Sequence, residues 1–446
     1  MAQYFGTDGI RGRAGEGKLS EASLEKLAHA IGAHFGAGAM AVIGRDTRES
    51  GDWVKDALTR GLISQGVNVT SVGVLPTPGT ASMVPNLGAD FGLMITASHN
   101  PFHDNGVKLF GPDGRKISDK AQSAIETLIA QSMSDGLPAA ETSGKEQPEQ
   151  NKASIYVDAL AAAFCSAGQT DLSGLKIVAD CANGAAFETF PAALLALGVE
   201  PILLGITPNG QNINADCGST HPEALAKAVR EHSADIGVAL DGDADRLIMV
   251  DSNGEVVDGD QLIARLATDW QAQGLLRGDA VVSTVMSNLG LERYLEAKGL
   301  RLERTAVGDR HVAARMIELD SNLGGEPSGH LLMTDYGVTG DGSLAALMVL
   351  AGLLASGQSS ADYLSVFQPF PQILKNVRFS GPSPLLQESV QQAIRAADNR
   401  LGQSGRVLVR ASGTEPLIRV MAEGEDTQLV SDVVDELCAL IESAAE

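Results

Sequence analysis

The sequence is poor in cysteine, and the four cysteines it has are scattered. Cys165, Cys181, Cys217 and Cys438 form no CxxC pair, so their spacing argues against a zinc site and against a disulfide framework. This usage is typical of a reducing compartment, and we expect a cytoplasmic protein. Residues 1–15, MAQYFGTDGIRGRAG, are polar and glycine-rich, so we also expect no signal peptide.

Long apolar runs and positive charge are scarce as well. No segment offers about 18 uninterrupted apolar residues, so we expect no membrane span. The formal net charge of −23 makes nucleic acid and anionic membranes poor partners. A phosphorylated substrate is still possible, because it needs only a local cluster of arginines, backbone N–H groups and a metal. The Walker A pattern is missing, so ATP-driven phosphoryl transfer of that class is not expected.

What the sequence does contain is a pattern of strand, turn, helix, glycine and strand that occurs three times. Apolar strands separated by helices predict βαβ units on parallel sheets that are covered on both faces. A polar loop follows each copy at the end of a further strand. Because ligands bind at the carboxyl ends of such strands, we expect the three loops to share one cleft. The three copies span residues 41–74, 176–204 and 280–308.

These patterns predict an α/β fold: three similar α/β domains with mixed, mainly parallel sheets, plus a smaller C-terminal α+β domain, around one central cleft. A chain of 446 residues has room for about three or four domains. The C-terminal domain is expected to contain a long helix over 384–401 and a strand over 405–424. Linkers rich in proline or polar residues separate the predicted domains, which span residues 1–150, 151–252, 253–367 and 368–446.

The second polar loop, LDGDADRL, places Asp241, Asp243 and Asp245 at alternate positions after an apolar strand. Three carboxylates in a short loop suit a hard divalent cation. An EF-hand loop would need glycine and glutamate where Arg246 and Ser252 stand, and a solvated acidic turn would leave three like charges uncompensated. Arg246 either balances surface charge or binds a phosphate.

Two further loops carry weaker signals. GGEPSGH offers a carboxylate and a hydroxyl that suit sugar hydroxyls, although an N-cap turn would explain it equally well. VRASGTEPLIR offers hydroxyls, backbone N–H groups and arginines that suit an oxyanion, although SGT is also a common turn. The residues concerned are Glu326, Ser328 and His330 in the first loop, and Arg410, Ser412, Gly413, Thr414 and Arg419 in the second.

The first loop, ITASHNP, puts Ser98 beside His99 where a buried strand ends. An α/β-hydrolase nucleophile would be flanked by glycines in G-x-S-x-G, and here the flanks are TASHN. A metal loop, arginines, an anion cradle and an exposed serine together indicate phosphoryl transfer through that serine. Catalysis of this kind depends mostly on positioning and charge neutralisation.

TASHNP, DGDADR, GGEPSGH and RASGTEP resemble, in order and spacing, the four signature loops of the α-D-phosphohexomutases, and the resemblance covers essentially the whole chain. YFGTDGIRG and VGDRHV look like the bacterial branch that acts on aminosugar phosphates. The resemblance implies a phosphoserine at Ser98 and one Mg²⁺ held by Asp241, Asp243, Asp245 and an oxygen on Ser98. It also implies that Arg246 contacts the transferring phosphoryl group. The resemblance further implies that Glu326 and Ser328 recognise the sugar hydroxyls. The substrate phosphate that does not react would be bound by Arg410, Ser412, Gly413, Thr414 and Arg419.

The implied reaction converts glucosamine 6-phosphate into glucosamine 1-phosphate through a sugar bisphosphate, which also serves as activator, and supplies a cell-wall precursor route. The implied partner is a small phosphorylated aminosugar, and the chain is expected to be a monomer or a homodimer. His99, Lys108, His330 and Arg11 are polar candidates for acid, base or binding roles. The alternatives are a phosphoglucomutase or phosphomannomutase and a non-catalytic sugar-phosphate binding protein.

Overall fold

The structure is a computed structural model of the chain, and it describes residues 4–6, 8–134, 136–412 and 416–445. The chain divides into two compact units, each described by itself below. Unit 1 comprises residues 1–284 and 305–365, and unit 2 comprises residues 285–304 and 366–446. Within the described ranges, every helix is too short or too polar to cross a bilayer.

A six-stranded sheet organises the first part of unit 1. Its strands are β1 (Ile10–Arg13), β2 (Met40–Arg45), β3 (Asn68–Val74), β4 (Phe91–Ile95), β5 (Asp104–Phe110) and β6 (Glu146–Gln147), and its helices are α1 (Glu21–Phe35), α2 (Gly51–Ser64), α3 (Thr77–Asn86) and α4 (Asp119–Ser134). The strand order is β1-β5-β4-β2-β3-β6. β4, β2, β3 and β6 are parallel, and β5 is antiparallel to both of its neighbours, β1 and β4. Every residue of β4 is buried, as expected for a strand covered on both faces.

A five-stranded sheet organises the second part of unit 1. Its strands are β7 (Ile177–Asp180), β8 (Ile202–Leu204), β9 (Ile236–Leu240), β10 (Leu247–Val250) and β11 (Val256–Val257), and its helices are α5 (Ala153–Ser166), α6 (Thr189–Ala196) and α7 (Glu223–His232). The order is β11-β10-β9-β7-β8, with β9, β7 and β8 parallel. The fully buried β9 leads directly into the acidic loop.

A third group of strands completes unit 1. The elements from here to residue 364 are α8 (Gly259–Gln273), β12 (Ala280–Thr284), α9 (Leu289–Ala297), β13 (Arg301–Thr305), α10 (Asp309–Glu318), β14 (Leu323–Gly325), β15 (Leu331–Met333), α11 (Gly342–Ser356) and α12 (Ser360–Leu364). β12 pairs parallel with β14, which pairs antiparallel with β15. α9 and most of β13 fall in unit 2. The predicted third repeat is therefore present as strand, helix and strand.

The C-terminal part of unit 2 is an antiparallel sheet with two helices. The elements are β16 (Gln372–Arg378), α13 (Glu388–Leu401), β17 (Gly405–Ala411), β18 (Leu417–Gly424) and α14 (Thr427–Ala445), and short 3₁₀ helices occur at Gly17–Leu19, Pro384–Leu386 and Gly402–Ser404. The order is β16-β18-β17. The single strand predicted over 405–424 is instead two antiparallel strands, because its two halves pair with each other from Gly405–Gly424 to Ala411–Ile418. The predicted fold class, mainly parallel α/β sheets plus a smaller α+β part, is confirmed.

Candidate active site

The three polar loops of unit 1 lie together, each at the end of a buried strand. The loop after β4 meets the loop after β9, where the Ser98 hydroxyl donates to the Asp241 carboxylate at 2.6 Å. The loop after β14 also meets the loop after β9, where His330 Nδ1 lies 3.6 Å from Asp245 Oδ1. The prediction that these loops share one site is therefore met within unit 1.

Ser98 is buried and has an unusual backbone. Its φ of 53° lies in the left-handed region, and its N–H donates to Thr96 Oγ1 at 2.8 Å. None of its surface is exposed. The expectation of an exposed serine is therefore wrong, because the acidic loop packs over the strand end and takes up the hydroxyl.

The acidic loop brings its three carboxylates close together. Asp241, Asp243 and Asp245 are buried, and one ligand atom from each lies within 4.8 Å of the others. Among the described residues, Asp243 Oδ1 and Asp245 Oδ1 are buried without a hydrogen-bond partner. Burial and the two neighbouring carboxylates raise the pKa of Asp241 to about 8. Clustered, unsatisfied oxygens of this kind fit a hard divalent cation.

Backbone contacts from several elements fix the shape of the acidic loop. Ala244 has a left-handed φ of 57°, and its carbonyl accepts the Gly342 N–H at the start of α11 at 3.0 Å. At the start of α3, the Thr77 N–H donates to the Asp243 carbonyl at 2.9 Å and its hydroxyl donates to the Asp243 carboxylate at 2.5 Å. The loop is thus held at both of its turns.

Lys108 projects from β5 into the acidic loop. Only 2% of its side chain is exposed, and its ammonium lies 2.7 Å from both Asp243 Oδ2 and Asp245 Oδ2. A third carboxylate, that of Asp8, lies 3.3 Å away. Burial alone would lower the pKa of Lys108, but the three carboxylates raise it well above its ordinary value. The amine is therefore a cation at neutral pH.

Further ion pairs close a ring of alternating charges through all three parts of unit 1. Lys116 contacts both Asp8 and Asp309. His330 Nε2 lies 3.4 Å from Asp309 Oδ2. Burial opposes the imidazolium form of His330, but Asp245 and Asp309 outweigh it and raise the pKa of His330 to about 10. The ring runs through Asp245, Lys108, Asp8, Lys116, Asp309 and His330.

His99 has the opposite protonation state to His330 at neutral pH. Its Nδ1 lies 3.3 Å from Ser98 Oγ. Burial, followed by the positive charges of Arg246 and Arg11, lowers the pKa of His99 to about 4. His99 is therefore a neutral imidazole at neutral pH, whereas His330 is an imidazolium that can donate a proton.

The two predicted arginines of unit 1 border the same loops. The Arg246 N–H donates to Asp241 Oδ1 at 3.2 Å, and its side-chain Nε is buried without a hydrogen-bond partner among the described residues. Arg11, on β1, pairs with Asp8 at 2.5 Å. Both add positive charge beside His99. The Arg246 Nε lies 3.9 Å from Asp245 Oδ1, beyond hydrogen-bond distance, so this buried donor could still bind an anion.

The loop after β14 presents the two predicted sugar-binding side chains differently. Glu326 is half-buried, and its carboxylate accepts the Gly308 N–H at 3.1 Å. Ser328 is exposed. The Glu326 N–H donates to the His330 carbonyl at 3.0 Å, which closes the loop.

In unit 2, Arg410 and Arg419 stand directly opposite each other on β17 and β18. Like charges in this position repel, and the Nε atoms of both are buried with no hydrogen-bond partner in the described part of the chain. Burial and the Arg419 charge lower the pKa of Arg410. The Ser412 N–H donates to the Leu417 carbonyl at 2.8 Å, while Gly413 and Thr414 lie outside the described residues. Such a pair of arginines suits a bound anion.

Several residues at the site were not predicted from the sequence. Arg48 is fully buried and donates to the carbonyl oxygens of Ser98, Asn100 and Pro101. Asn214 donates to the first two of these from the second part of unit 1. The only available signal was position, since Arg48 follows the end of β2 as Ser98 follows the end of β4.

Comparison with known proteins gives matches along most of the chain. Models described as phosphoglucomutase/phosphomannomutase alpha/beta/alpha domains I, II and III match residues 2–135, 154–254 and 258–370, and the model of the C-terminal domain matches residues 374–440. The phosphoglucosamine mutase of Paracoccus denitrificans is 52% identical over 448 residues, covering 99% of each chain. That of Novosphingobium aromaticivorans is 51% identical over 448 residues, again covering 99% of each chain.

A solved structure agrees in fold. The crystal structure of a phosphoglucomutase/phosphomannomutase family protein from Burkholderia thailandensis has a TM-score of 0.82 and 24% identity, and the match covers 100% of this chain and 98% of that one.

Proposed function

Because the chain belongs to the phosphoglucomutase/phosphomannomutase family, we propose that it interconverts glucosamine 6-phosphate and glucosamine 1-phosphate. Curated relatives about 50% identical over nearly their whole length are named for this activity. The observation that carries the mechanism is the Ser98 hydroxyl, which lies 2.6 Å from Asp241 in the buried acidic loop. The product would feed synthesis of a cell-wall precursor.

In the proposed cycle, phosphorylated Ser98 transfers its phosphoryl group to a hydroxyl of the sugar phosphate. The bond between phosphorus and Ser98 Oγ breaks, the sugar oxygen bonds to phosphorus, and the sugar hydroxyl gives up its proton while Ser98 Oγ gains one. The resulting bisphosphate reorients and returns its other phosphoryl group to Ser98. We assign proton acceptance to neutral His99 and positive charge or proton donation to Lys108 and His330.

The acidic loop is the proposed Mg²⁺ site, with Asp241, Asp243, Asp245 and an oxygen on Ser98 as ligands. The two unsatisfied carboxylate oxygens support this assignment. When bound, such an ion neutralises the negative charge of a transferring phosphoryl group. Arg246, whose buried Nε has no hydrogen-bond partner among the described residues, would orient the same group.

The remaining predicted residues are proposed to bind substrate. Glu326 and Ser328 hydrogen-bond the sugar hydroxyls, and Arg11 adds positive charge near the reacting end. Residues 1–150, 151–252, 253–367 and 368–446 thus supply the phosphoserine, metal, sugar and phosphate loops. The proposed phosphate loop consists of Arg410, Ser412, Gly413, Thr414 and Arg419. The four free cysteines support a reducing compartment, and we place the enzyme in the cytoplasm.

Ser98→Ala tests the phosphoserine assignment. We expect wild-type protein to carry about 80 Da of extra mass from one phosphoryl group, and the variant to lose both that mass and mutase turnover. Ser132→Ala removes a buried serine of α4 whose hydroxyl donates to the Lys26 carbonyl, and it should change neither. Turnover in the Ser98→Ala variant would rule the mechanism out.

Initial rates with the 6-phosphates of glucosamine, glucose and mannose test the substrate. A clear preference for glucosamine 6-phosphate is expected. Faster turnover of glucose or mannose 6-phosphate would instead make the chain a phosphoglucomutase or phosphomannomutase. Binding of sugar phosphate without turnover of any of the three would make it a binding protein.

A further inference from the structure

Arg48 is a fully buried arginine in the loop that follows β2. Its Nη1 donates to the Pro101 carbonyl at 2.6 Å, and its Nη2 donates to the carbonyls of Ser98 and Asn100 at 2.8 and 2.9 Å. Its Nε donates to the Asp46 carboxylate at 2.9 Å, which orients the guanidinium. One buried guanidinium therefore contacts three carbonyl oxygens of the serine loop and none of the proposed reacting groups.

Asn214 reaches the same carbonyls from the second part of unit 1. Its Nδ2 donates to the carbonyls of Ser98 and Asn100 at 2.9 and 3.2 Å. Gly242 packs against the Ser98 carbonyl oxygen so closely that a Cβ added to Gly242 would lie 2.6 Å from it. The Ser98 carbonyl is thus enclosed by groups from both sides.

The residues beside Arg48 are tied to the second part of unit 1 as well. The Thr47 hydroxyl donates to the Asn183 carbonyl at 2.5 Å, and the Glu49 N–H donates to the Gly210 carbonyl at 2.9 Å. Arg48 is consequently anchored on a rigid support, as an orienting group must be.

Ser98 needs such support because of its backbone. A non-glycine residue with a φ of 53° persists only where its surroundings impose that conformation. The carbonyl contacts of Arg48 and Asn214 supply this constraint, and the resulting conformation directs Ser98 Oγ toward Asp241.

We propose that Arg48 and Asn214 are positioning residues that hold the serine loop in its reactive conformation through its carbonyl groups. The inference rests on the proposed function, since it assigns the loop a reaction to be positioned for. An arginine suits the role because its planar fork reaches several acceptors at once, which a lysine ammonium cannot do. Both residues act through Ser98 and touch no substrate.

The test compares Arg48→Lys and Asn214→Ala with the control Arg265→Lys. The control replaces an arginine of α8 that pairs with Asp269 of the same helix and lies over the Tyr363 ring of α12. We expect both test variants to lower kcat for glucosamine 6-phosphate by about tenfold or more, with KM changed less than about twofold. The rate at which glucose 1,6-bisphosphate phosphorylates Ser98, followed by intact mass, should fall by a similar factor. Amide hydrogen exchange over residues 96–101 should become faster. The control should change none of these.

The double variant should lose less activity than the two single losses combined, because both residues hold the same carbonyls. The proposal is overturned if kcat and loop exchange stay within about twofold of wild type, or if KM alone changes. Asn214→Ala decides the matter if Arg48→Lys does not fold. If wild-type Ser98 accepts no phosphoryl group, the proposed function fails, while the exchange rates still decide whether the two residues hold the loop.

Discussion

The buried contact between Tyr156 and Asp341 predicts a stability change whose size depends on pH. Tyr156, on α5, donates its hydroxyl to the Asp341 carboxylate, with distances of 2.8 and 2.9 Å to the two oxygens. Asp341 caps α11 by accepting the Leu344 N–H at 2.9 Å, and the first N–H of α11 holds the acidic loop. Tyr156→Phe would remove the hydroxyl and keep the ring.

The sign follows from the pKa of Asp341. Burial raises this pKa from 3.8 to about 6, although the Leu344 N–H and the Tyr156 hydroxyl oppose the rise. A raised carboxyl pKa contributes stability below the unfolded value near 3.9, and this stability is lost as the pH rises through about 6. The shift corresponds to roughly 3 kcal/mol. Because the lost hydroxyl favours the charged form, Tyr156→Phe should raise the pKa further and destabilise the protein most where Asp341 is ionised.

We expect Tyr156→Phe to lower the free energy of unfolding by about 2–3 kcal/mol at pH 8, where a hydrogen bond to a charged group is lost, and by about 1 kcal/mol at pH 5. Urea unfolding followed by tryptophan fluorescence measures this, since the two tryptophans, Trp53 and Trp270, both lie in unit 1. In an Asp341→Asn background the cost should be the same at both pH values. Equal costs at pH 5 and pH 8 with Asp341 present, or a pH dependence that survives Asp341→Asn, would refute the reasoning.

Three further predictions test other parts of the structure. Lys108→Met should lower the free energy of unfolding by about 3–5 kcal/mol in EDTA, because it leaves buried carboxylates without their cation. The loss should be smaller in Mg²⁺. Equal urea midpoints for variant and wild type in EDTA would contradict this. With a thiol reagent, the native protein should show one fast-reacting cysteine, the exposed Cys165, and the unfolded protein should show four. A second fast-reacting thiol in the native state would show that a cysteine described as buried is accessible. Gly184→Ala should reduce the rise in melting temperature that Mg²⁺ produces. The reason is that the alanine Cβ would lie 2.4 Å from the Gly242 carbonyl oxygen in the acidic loop. An unchanged rise would count against that close packing.

Local patterns explain why much of the fold and part of the site could be predicted. The acidic loop was recognisable because alternating carboxylates after an apolar strand form a continuous segment, and Ser98 was found by comparing strand ends. Arg48 and Asn214 were missed because they contact a backbone carbonyl that is 50 and 116 residues away in the sequence, respectively. Contacts to distant backbone groups leave no pattern of residue types in the sequence. The burial of Ser98 was misjudged for the same reason, since it depends on packing by another part of the chain.

The C-terminal part shows a similar limit. The spacing of apolar residues over 405–424 indicates extended chain, yet it does not say where one strand ends and the next begins. Arg410 and Arg419 are separated by eight residues in the sequence, so their proximity is not evident there. Only the pairing of β17 with β18 places the two like charges opposite each other.

The left-handed backbone at Ser98 also restricts which alcohol can stand at this position. Threonine offers the same hydroxyl chemistry as a phosphoryl acceptor, but its extra methyl group on Cβ makes a positive φ strongly unfavourable. Serine is the smallest side chain that carries a hydroxyl and still tolerates this conformation. The choice between the two alcohols is therefore made by main-chain sterics at the strand end, before the reactivity of the oxygen is considered.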